Sequence, residues 1–379
     1  MVQDLKQLDQ SIRALASTPA SAAPVLNCYV DRESPDWRSR FDEEASRLRA
    51  AFPAGESRRW FDEALLRIKS HLRLVPEIGA RGAAVFARGG DAPFLLALEF
   101  RIPLSGSLSA SRHPRIFPLV ALRDNYYRFA ILHCTGEAIR ILGIELGSVS
   151  RQVCDRRIDP RRFARATSPG SPAGGDRLRE VIRDGVAVLG QFLRRGGYRC
   201  LILAGTAEWV ALIRQAMPRH LAVRVLDTVP AQESDALMDV VQAASLSFTD
   251  REEEESAAMV EWLCGELDEG RSVTGLEAAR LAVESGEAEV LLIDARFAPD
   301  SVRHCLHCGA SCPDDGGPFV CPLCGGGPCL PGDEKEALVR AAVAAGVPVE
   351  IVNHSDVLMG LGGVGCLLKH GPRGRRRAA

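Results

Sequence analysis

Apolar positions in the first third of the chain recur at helical spacing and then gather into strand-like runs. One helical series consists of Trp37, Phe41, Ala45, Leu48 and Phe52, and a second of Trp60, Ala64, Ile68 and Leu72. Strand-like runs follow at residues 82–87 and 94–100, and the polar, serine-rich residues 105–114 indicate a linker. The pattern predicts an α/β domain over residues 1–112.

The middle of the chain continues with mixed elements. Apolar runs predict strands at residues 117–122, 127–134 and 138–144, followed by a long irregular segment at residues 148–175. A helical pattern then covers residues 176–195, a strand-like run residues 200–203, and a second helical pattern residues 207–217. We expect a second α/β domain over residues 113–248.

The last third opens with an acidic run, DREEEE, at Asp250. We expect this run to mark a boundary and to begin a helix, because carboxylates complement the positive end of the helix dipole. Helices are predicted at residues 276–285 and 334–345, and strands at 290–293 and 347–352. Asp333 and Glu336 form a capping pair, and Gly346 ends the helix. A third α/β domain is therefore expected over residues 249–379.

The composition is that of a soluble globular protein. Apolar residues make up 46% and charged residues 25% of the chain, with a formal net charge of −2, which excludes wholesale disorder and a wholly basic protein. A nucleic-acid surface would therefore be local. The N-terminal segment lacks the pattern of a signal peptide, and no apolar run approaches bilayer length. We expect a cytoplasmic monomer with no membrane partner.

Twelve cysteines divide into scattered and clustered ones. In a reducing compartment the scattered residues are best interpreted as small hydrophobic side chains. They are Cys28, Cys134, Cys154, Cys200, Cys264 and Cys366. The other six lie between Cys305 and Cys329, in the connection between a predicted strand and a predicted helix, and indicate metal ligands.

The cluster contains two Cys-x-x-Cys pairs, each followed directly by glycine. They are Cys305 with Cys308, and Cys321 with Cys324. This spacing lets two thiolates of one turn face one ion, so the sequence predicts a structural zinc ribbon, inserted at residues 303–331. Free thiols are the alternative. Additional candidate ligands, Cys312, Cys329, His304 and His307, leave the ligand set open. Four cysteine ligands would leave no position for a catalytic water.

Two apparent motifs are weak, and a third is absent. The G-x-G-x-x-G at residues 360–365 leads into a strand-like run rather than into a helix, and no acidic residue follows it, which argues against dinucleotide binding. The tripeptide Ile68-Lys69-Ser70 is similar to part of a codon-reading loop in eukaryotic termination factors, but it lies inside a helical pattern. No nucleophile elbow is present.

Residues 151–179 form the most informative segment for function. They contain three aspartates and eight arginines: Arg151, Arg156, Arg157, Arg161, Arg162, Arg165, Arg177 and Arg179. The middle of the segment is almost entirely Ser, Pro, Gly and Ala, so a small-residue tip flanked by arginines would suit a phosphate-lined cavity. A solvated loop with no partner is the alternative.

The order of several motifs resembles the C-terminal domain of archaeo-eukaryotic class-1 peptide release factors. These are GLEAARLAVESG at residues 275–286 followed by a VLLID strand, the inserted cysteine pairs, GVPVEIV at residues 346–352, and GGVGCLLK at residues 362–369. The middle block is similar to the family's central domain in CLILAG, residues 200–205, and in its arginine-rich loop before a long helix. The first third of the chain shares only the order of its helices and strands with the family. The resemblance points to bacterial homologues of the family and implies three α/β domains.

The resemblance also bears on catalysis. In true release factors the central loop ends in Gly-Gly-Gln, whose glutamine positions the attacking water, whereas this chain has Gly174, Gly175 and Asp176. These three residues are weak catalytic candidates. Aspartate lacks an amide N–H, and Asp176 is better interpreted as the cap of the following helix. Codon-reading motifs are not recognisable.

The resemblance implies a factor that binds the bacterial ribosome near the A site. The arginine-rich loop would face ribosomal RNA or tRNA, and the zinc-bearing domain would face a protein partner, for which a translational GTPase is the candidate. The favoured role is a non-catalytic hibernation or stress factor. One alternative is a ribosome-rescue enzyme that hydrolyses peptidyl-tRNA with an altered loop. Another is a protein-interaction module that no longer binds ribosomes.

Overall fold

The computed structural model describes residues 2, 5–74, 76, 78–125, 128–135, 138–146, 148–157, 172–299, 303–312, 321–325 and 328–369. The chain divides into two compact units. One unit joins residues 6–124 with residues 256–379, and the other comprises residues 3–5 and 125–255. Among the described residues, no helix is long and apolar enough to cross a bilayer.

The N-terminal part contains a four-stranded antiparallel sheet covered by helices. Its elements are α1 (Leu5–Ala16), β1 (Val25–Asp31), α2 (Trp37–Ala51), α3 (Glu56–Arg73), β2 (Gly82–Arg88), β3 (Phe94–Phe100), β4 (Ser107–Ser111) and α4 (Phe117–Asn125). The strand order is β3-β2-β1-β4. The helices and strands predicted between residues 37 and 100 are confirmed. Ile68 is buried in α3, and Lys69 lies 2.8 Å from Asp42, so the tripeptide is part of a helix.

Two predictions on either side of residue 114 are wrong. The expected linker is strand β4, which pairs with β1 and buries Leu108 and Ala110 while serines alternate with them. The expected strand at residues 117–122 is helix α4. Pro118 is its second residue, a position where proline is tolerated in a helix and where a central strand would lose a hydrogen bond.

The central unit is built on a five-stranded mixed sheet. Its elements are β5 (Phe129–Cys134), β6 (Ala138–Glu145), β7 (Ser148–Arg157), α5 (Pro172–Gly196), β8 (Cys200–Gly205), α6 (Ala207–Ala216), α7 (Arg219–Ala222), β9 (Val225–Pro230) and the first part of α8 (Leu237–Leu267). The order is β7-β6-β5-β8-β9, in which β5, β8 and β9 are parallel.

Both faces of this sheet are covered. On one face Ile182, Val186 and Leu189 of α5 pack with the apolar residues of the strands. On the other face α8 packs against the sheet, and the rings of Phe129 and Phe248 stack with their centroids 4.6 Å apart. The acidic run at Asp250 lies inside α8 rather than at its start. The prediction that this run begins a helix is therefore wrong.

The C-terminal part contains a second four-stranded sheet and a small three-stranded one. Its elements are β10 (Ser272–Thr274), α9 (Leu276–Glu284), β11 (Ala288–Asp294), β12 (Arg303–Cys305), β13 (Ser311–Cys312), β14 (Cys329–Pro331), α10 (Glu334–Ala345), β15 (Val349–Val352), α11 (Asp356–Gly360) and β16 (Val364–Leu368). The larger sheet has the order β10-β16-β11-β15 and the smaller one β13-β12-β14. The α/β class predicted from the sequence is confirmed.

The local signals in this part are confirmed. Asp333 caps α10 by accepting a hydrogen bond from the N–H of Glu336 at 3.1 Å. Gly346 ends the helix in the left-handed region with φ of 71°. The glycine-rich residues 360–365 run from α11 into β16, which excludes the strand-turn-helix geometry of a dinucleotide-binding turn.

Candidate functional site

The two cysteine pairs lie on turns beside the small sheet β13-β12-β14. Cys305 is the last residue of β12, and its carbonyl accepts a hydrogen bond from the Gly309 N–H at 2.9 Å. The Cys321 carbonyl accepts the equivalent bond from the Gly325 N–H, also at 2.9 Å. Both glycines have positive φ, 76° and 61°, which a residue with a Cβ adopts at a cost. The sequence therefore builds two similar knuckles.

Four sulfur atoms from these knuckles converge on one point. The Sγ atoms of Cys305 and Cys324 are 3.6 Å apart, and those of Cys308 and Cys321 are 3.8 Å apart. All four lie within 4.8 Å of one another. Tetrahedral coordination with metal–sulfur bonds of about 2.3 Å requires sulfur separations of about 3.8 Å. The four side chains therefore fit a tetrahedral metal ion, and the predicted pairing of the two knuckles matches this geometry.

The protonation of these thiols differs with their surroundings. Backbone N–H groups of Cys324 and Leu323 lower the pKa of the Cys321 thiol to about 7. Burial raises the pKa of the Cys305 thiol to about 12. A bound cation would offset the cost of a buried thiolate at Cys305, since cysteine ligates metals as the thiolate.

The additional candidate ligands lie outside this set of four. Cys312 and Cys329 are joined by a disulfide, and disulfide sulfurs lack the thiolate that binds metal. The Nε2 atom of His304 is 3.3 Å from the Glu334 carboxylate, and His307 is exposed. The geometry thus favours Cys305, Cys308, Cys321 and Cys324 as the ligand set, with every position filled by sulfur.

The scattered cysteines follow the sequence expectation where their side chains are described. Cys28, Cys134 and Cys366 are buried, and Cys200 and Cys264 are half-buried. Burial raises the pKa of Cys28 to about 12 and that of Cys366 to about 11. The side chain of Cys154 lies outside the described residues.

The knuckles are fixed to the N-terminal sheet by apolar side chains. Leu306, beside the first knuckle, and Leu330, on β14, belong to the same buried cluster as Leu108 and Ala110 of β4. Burying one leucine side chain contributes about 1.5–3 kcal/mol. The strand that the sequence presents as a linker is therefore part of the platform on which the metal centre rests.

The start of helix α10 holds the start of helix α4. The Glu336 carboxylate accepts hydrogen bonds from the backbone N–H groups of Ile116 at 2.8 Å and Phe117 at 3.0 Å. Lys335 Nζ donates to the carbonyls of Ala295 and Phe297 and lies 3.9 Å from the centroid of the Phe117 ring. Glu336 thus acts as a cap for α4 that is supplied from a distant part of the sequence.

This cap predicts a pH-dependent stability. Burial raises the pKa of Glu336 to about 7, above the usual value near 4.5, so the folded protein holds one proton more than the unfolded chain between those two values. The protonated carboxyl therefore stabilises the fold fully below pH of about 4.5, and this contribution is lost as pH rises through about 7. We expect Glu336→Gln, which keeps an acceptor oxygen, to be insensitive to this change.

Urea unfolding of wild type and Glu336→Gln at pH 5.5 and pH 8 measures the effect. On going from pH 5.5 to pH 8, the unfolding free energy of wild type should fall relative to that of Glu336→Gln by about 2 kcal/mol. Other titrating groups are common to both proteins and cancel in this difference. A difference that is the same at both pH values would contradict the assignment.

The arginine-rich segment spans the end of a sheet and the start of a helix. Arg151, Arg156 and Arg157 are on β7, which among the described strands is an edge strand paired with β6, and Arg156 lies opposite Ile139. Arg177 is in α5, and Arg179 follows in the same helix with an exposed side chain. Arg161, Arg162 and Arg165 lie outside the described residues. The part of the segment predicted to be irregular before residue 158 is a strand, because it continues the β5–β6 meander.

The Gly-Gly-Asp sequence lies inside helix α5. This helix begins at Pro172, a favoured first residue, so Gly174, Gly175 and Asp176 are its third, fourth and fifth residues. Asp176 is therefore not the N-cap that the sequence suggests. The two glycines have a helical backbone here.

A comparison with family models gives one match, to the family described as bacterial archaeo-eukaryotic release factor family 10, over residues 114–247. These residues include the whole five-stranded sheet and the arginine-rich segment. This central segment of the chain is therefore similar to the corresponding segment of that release factor family. This confirms the resemblance predicted for the middle block.

Alignments with solved structures extend over most of this chain. The archaeal translation termination factor aRF1 is 14% identical, covers 97% of this chain and 98% of that chain, and gives a TM-score of 0.28. Pelota of Archaeoglobus fulgidus is 13% identical, with coverages of 98% and 93% and a TM-score of 0.35. Dom34 of S. cerevisiae, described as a translation termination-like factor that interacts with Hbs1, is 10% identical, with coverages of 77% and 82% and a TM-score of 0.40. No curated protein matches significantly.

Proposed function

We propose that this protein binds the bacterial ribosome near the A site as a non-catalytic factor that occupies the ribosome during hibernation or stress. The observation that carries this proposal is the family match over residues 114–247, which contains the arginine-rich segment. The arginines of residues 151–179 would contact phosphates of ribosomal RNA or tRNA, since guanidinium groups bind phosphate in bidentate geometry.

The distribution of charge supports a local RNA contact. The chain has a formal net charge of −2, whereas residues 151–179 hold eight arginines against three aspartates. A basic segment in an otherwise neutral protein attracts the RNA backbone without giving the whole surface an affinity for polyanions. The position of Arg156 and Arg157 at the end of an edge strand, with Arg177 and Arg179 in the next helix, puts cations on both sides of residues 158–171.

The absence of hydrolysis is part of this proposal. Gly174 and Gly175 are followed by Asp176 instead of the glutamine of true release factors, and all three have a helical backbone. An aspartate carboxylate accepts hydrogen bonds but has no amide N–H to donate. Hydrolysis of peptidyl-tRNA by an altered loop is the second candidate function. A release assay on ribosomes that carry peptidyl-tRNA distinguishes the two, because only the second function frees the peptide.

The metal is assigned as zinc under the same proposal. Four cysteine sulfurs with tetrahedral spacing are the usual ligand set of a structural zinc site, and such a site orders a loop too short to form its own core. The zinc ribbon would face a protein partner, for which a translational GTPase is the candidate. The division into domains at residues 1–112, 113–248 and 249–379 stays a prediction.

Co-sedimentation with bacterial 70S ribosomes tests this function. We expect the purified, metal-loaded protein to pellet with ribosomes at low salt, and binding to weaken steeply as salt rises, because each phosphate contact releases counterions. Binding that does not depend on the salt concentration would contradict the proposed phosphate contacts. No pelleting at any salt concentration would support a protein-interaction module that acts away from the ribosome.

A further inference from the structure

A pocket lined by arginines lies beside the first cysteine knuckle. It has a volume of about 300 Å³ and lies between the end of β4, the knuckle turn and helix α10. The residues used in the argument are Arg112, His113, Arg115, His304, Gly309 and Arg340. All of them belong to the unit that joins residues 6–124 with 256–379.

The acidic side chains of this pocket already have partners. Glu336 accepts the backbone hydrogen bonds that cap α4, and Glu334 is 3.3 Å from His304 Nε2. Asp333 caps α10 and lies 3.6 Å from Arg115. Each carboxylate therefore has a defined structural contact, and none of these contacts is with Arg112 or Arg340.

Two of the arginines lack such contacts. Arg112 and Arg340 are half-buried, and neither makes a hydrogen bond or ion pair to any residue that the structure describes. The Nε atoms of Arg112 and Arg115 and the Nδ1 atom of His113 are buried without a hydrogen-bond partner. Unpaired, desolvated guanidinium groups destabilise a fold, so their retention side by side requires a reason.

Charges of both signs act on the arginines of the pocket. Burial lowers the pKa of Arg340, the Glu336 carboxylate raises it, and the neighbouring Arg112 lowers it. Burial together with Arg340 and Arg112 lowers the pKa of His113 to about 4, so this histidine is neutral at physiological pH. The histidine therefore adds no charge of its own beside Arg112 and Arg340.

The backbone of the knuckle shapes the pocket. Gly309 has a φ of 76°, and a Cβ at this position would collide with the guanidinium group of Arg112. The glycine that forms the metal knuckle therefore also lets the charged end of Arg112 lie against the turn. The metal centre and the arginine pocket share this residue.

We propose that this pocket is a binding site for a phosphate group, held between the guanidinium groups of Arg112 and Arg340. Guanidinium N–H groups match the geometry and charge of phosphate oxygens, and a phosphate dianion would remove the repulsion between the two arginines. The ligand is a free phosphate or small phosphorylated molecule, or one phosphate of an RNA chain. The site does not depend on ribosome binding, because Arg112 and Arg340 lie outside the family match and outside residues 151–179.

Thermal unfolding and calorimetry of the full-length, metal-loaded protein test this site. Inorganic phosphate should raise the unfolding temperature of wild type by several degrees relative to chloride at equal ionic strength, since a ligand that binds only the folded state stabilises it. Arg112→Met and Arg340→Met together should abolish this rise and weaken phosphate binding at least tenfold. Arg73→Met removes one exposed charge at the end of α3. This control variant should retain both the rise in unfolding temperature and the affinity for phosphate.

Unfolding without phosphate separates a ligand site from a structural role. Arg340→Met should unfold at the same temperature as wild type or higher, because methionine carries no desolvated charge. A lower unfolding temperature for this variant, combined with no response of wild type to inorganic phosphate or to RNA, would overturn the proposal. A phosphate response that the double variant retains would overturn it too.

RNA oligonucleotides identify the source of the phosphate. Binding of inorganic phosphate that the double variant loses supports a small phosphorylated ligand. If inorganic phosphate has no effect but single-stranded RNA binds wild type at least tenfold more tightly than the double variant, the phosphate belongs to a polynucleotide. Equal RNA binding by the two proteins, without a phosphate response, would refute the site.

Discussion

Replacing Cys308 by serine should abolish metal binding and disorder the small sheet β13-β12-β14. Wild type is expected to hold one metal ion per chain, and the variant far less than one, because three thiolates cannot complete the tetrahedral site formed by Cys305, Cys308, Cys321 and Cys324. Structural zinc contributes about 10–16 kcal/mol to the folding of zinc-finger peptides, so the effect on this segment is large.

Loss of the metal should also weaken the N-terminal sheet. Leu306 and Leu330 are held in the core with Leu108 and Ala110 by the ordered knuckles. If both leucines leave this core, the unit loses about 3–6 kcal/mol of apolar burial. We therefore expect a lower unfolding temperature and proteolytic cleavage within residues 303–331. Metal analysis by mass spectrometry and limited proteolysis measure both effects.

Cys264→Ser is the matched control for this experiment. Cys264 is half-buried in the C-terminal part of the chain and lies outside the cysteine cluster, so its replacement should leave the metal content at one ion per chain. A Cys308→Ser protein that retains the full metal content and the wild-type unfolding temperature would show that these four cysteines are not the ligands.

Changing Arg156, Arg157, Arg161 and Arg162 to serine should remove ribosome binding at physiological salt. Each arginine that contacts a phosphate releases counterions on binding, so losing four of them should weaken binding by about 100-fold and flatten the salt dependence. The fold should be unaffected where it is described, because β7 is an edge strand and serine is compatible with it. Co-sedimentation over a salt series and circular dichroism measure these two outcomes.

The control for net charge replaces four other arginines. Arg38, Arg40, Arg73 and Arg219 are exposed and lie outside residues 151–179. Their replacement by serine changes the net charge by the same amount, and we expect binding to fall much less than tenfold. Equal losses in the two fourfold variants would mean that overall charge, and not the arginine-rich segment, determines the affinity.

Local signals predicted those parts of the structure in which neighbouring residues determine the outcome. Asp333 and Gly346 bound helix α10 because a cap depends on the backbone groups within one turn. The cysteine pairs were predictable for the same reason, since a two-residue spacing fixes the geometry of each knuckle. Pairing the two knuckles into one site needed only the assumption that an isolated pair is an incomplete ligand set.

Long-range contacts account for the elements that the sequence did not predict. Strand β4 is rich in serine and becomes a strand because it pairs with β1, far earlier in the chain. Helix α4 has an apolar run too short to separate a helix from a strand by periodicity, and its cap comes from Glu336. The acidic run at Asp250 is a local helix signal that lies inside the longer α8.

The arginine pocket illustrates the same limit for a site. Arg112 and Arg340 come from distant segments, and neither lies in a recognisable motif. Their proximity follows from the packing of the cysteine knuckles and α10 against the end of β4. The spacing of residues along the sequence does not predict such a pair. The pair is recognised in the folded unit because its guanidinium groups are unpaired.

An electron cryo-microscopy reconstruction of 70S ribosomes mixed with the metal-loaded protein tests the proposed function most directly. The account predicts density for the five-stranded central sheet at the A site, with residues 151–179 against ribosomal RNA or tRNA. Density for the protein at a site remote from the A site, or contacts made by another surface with residues 151–179 facing solvent, would contradict it.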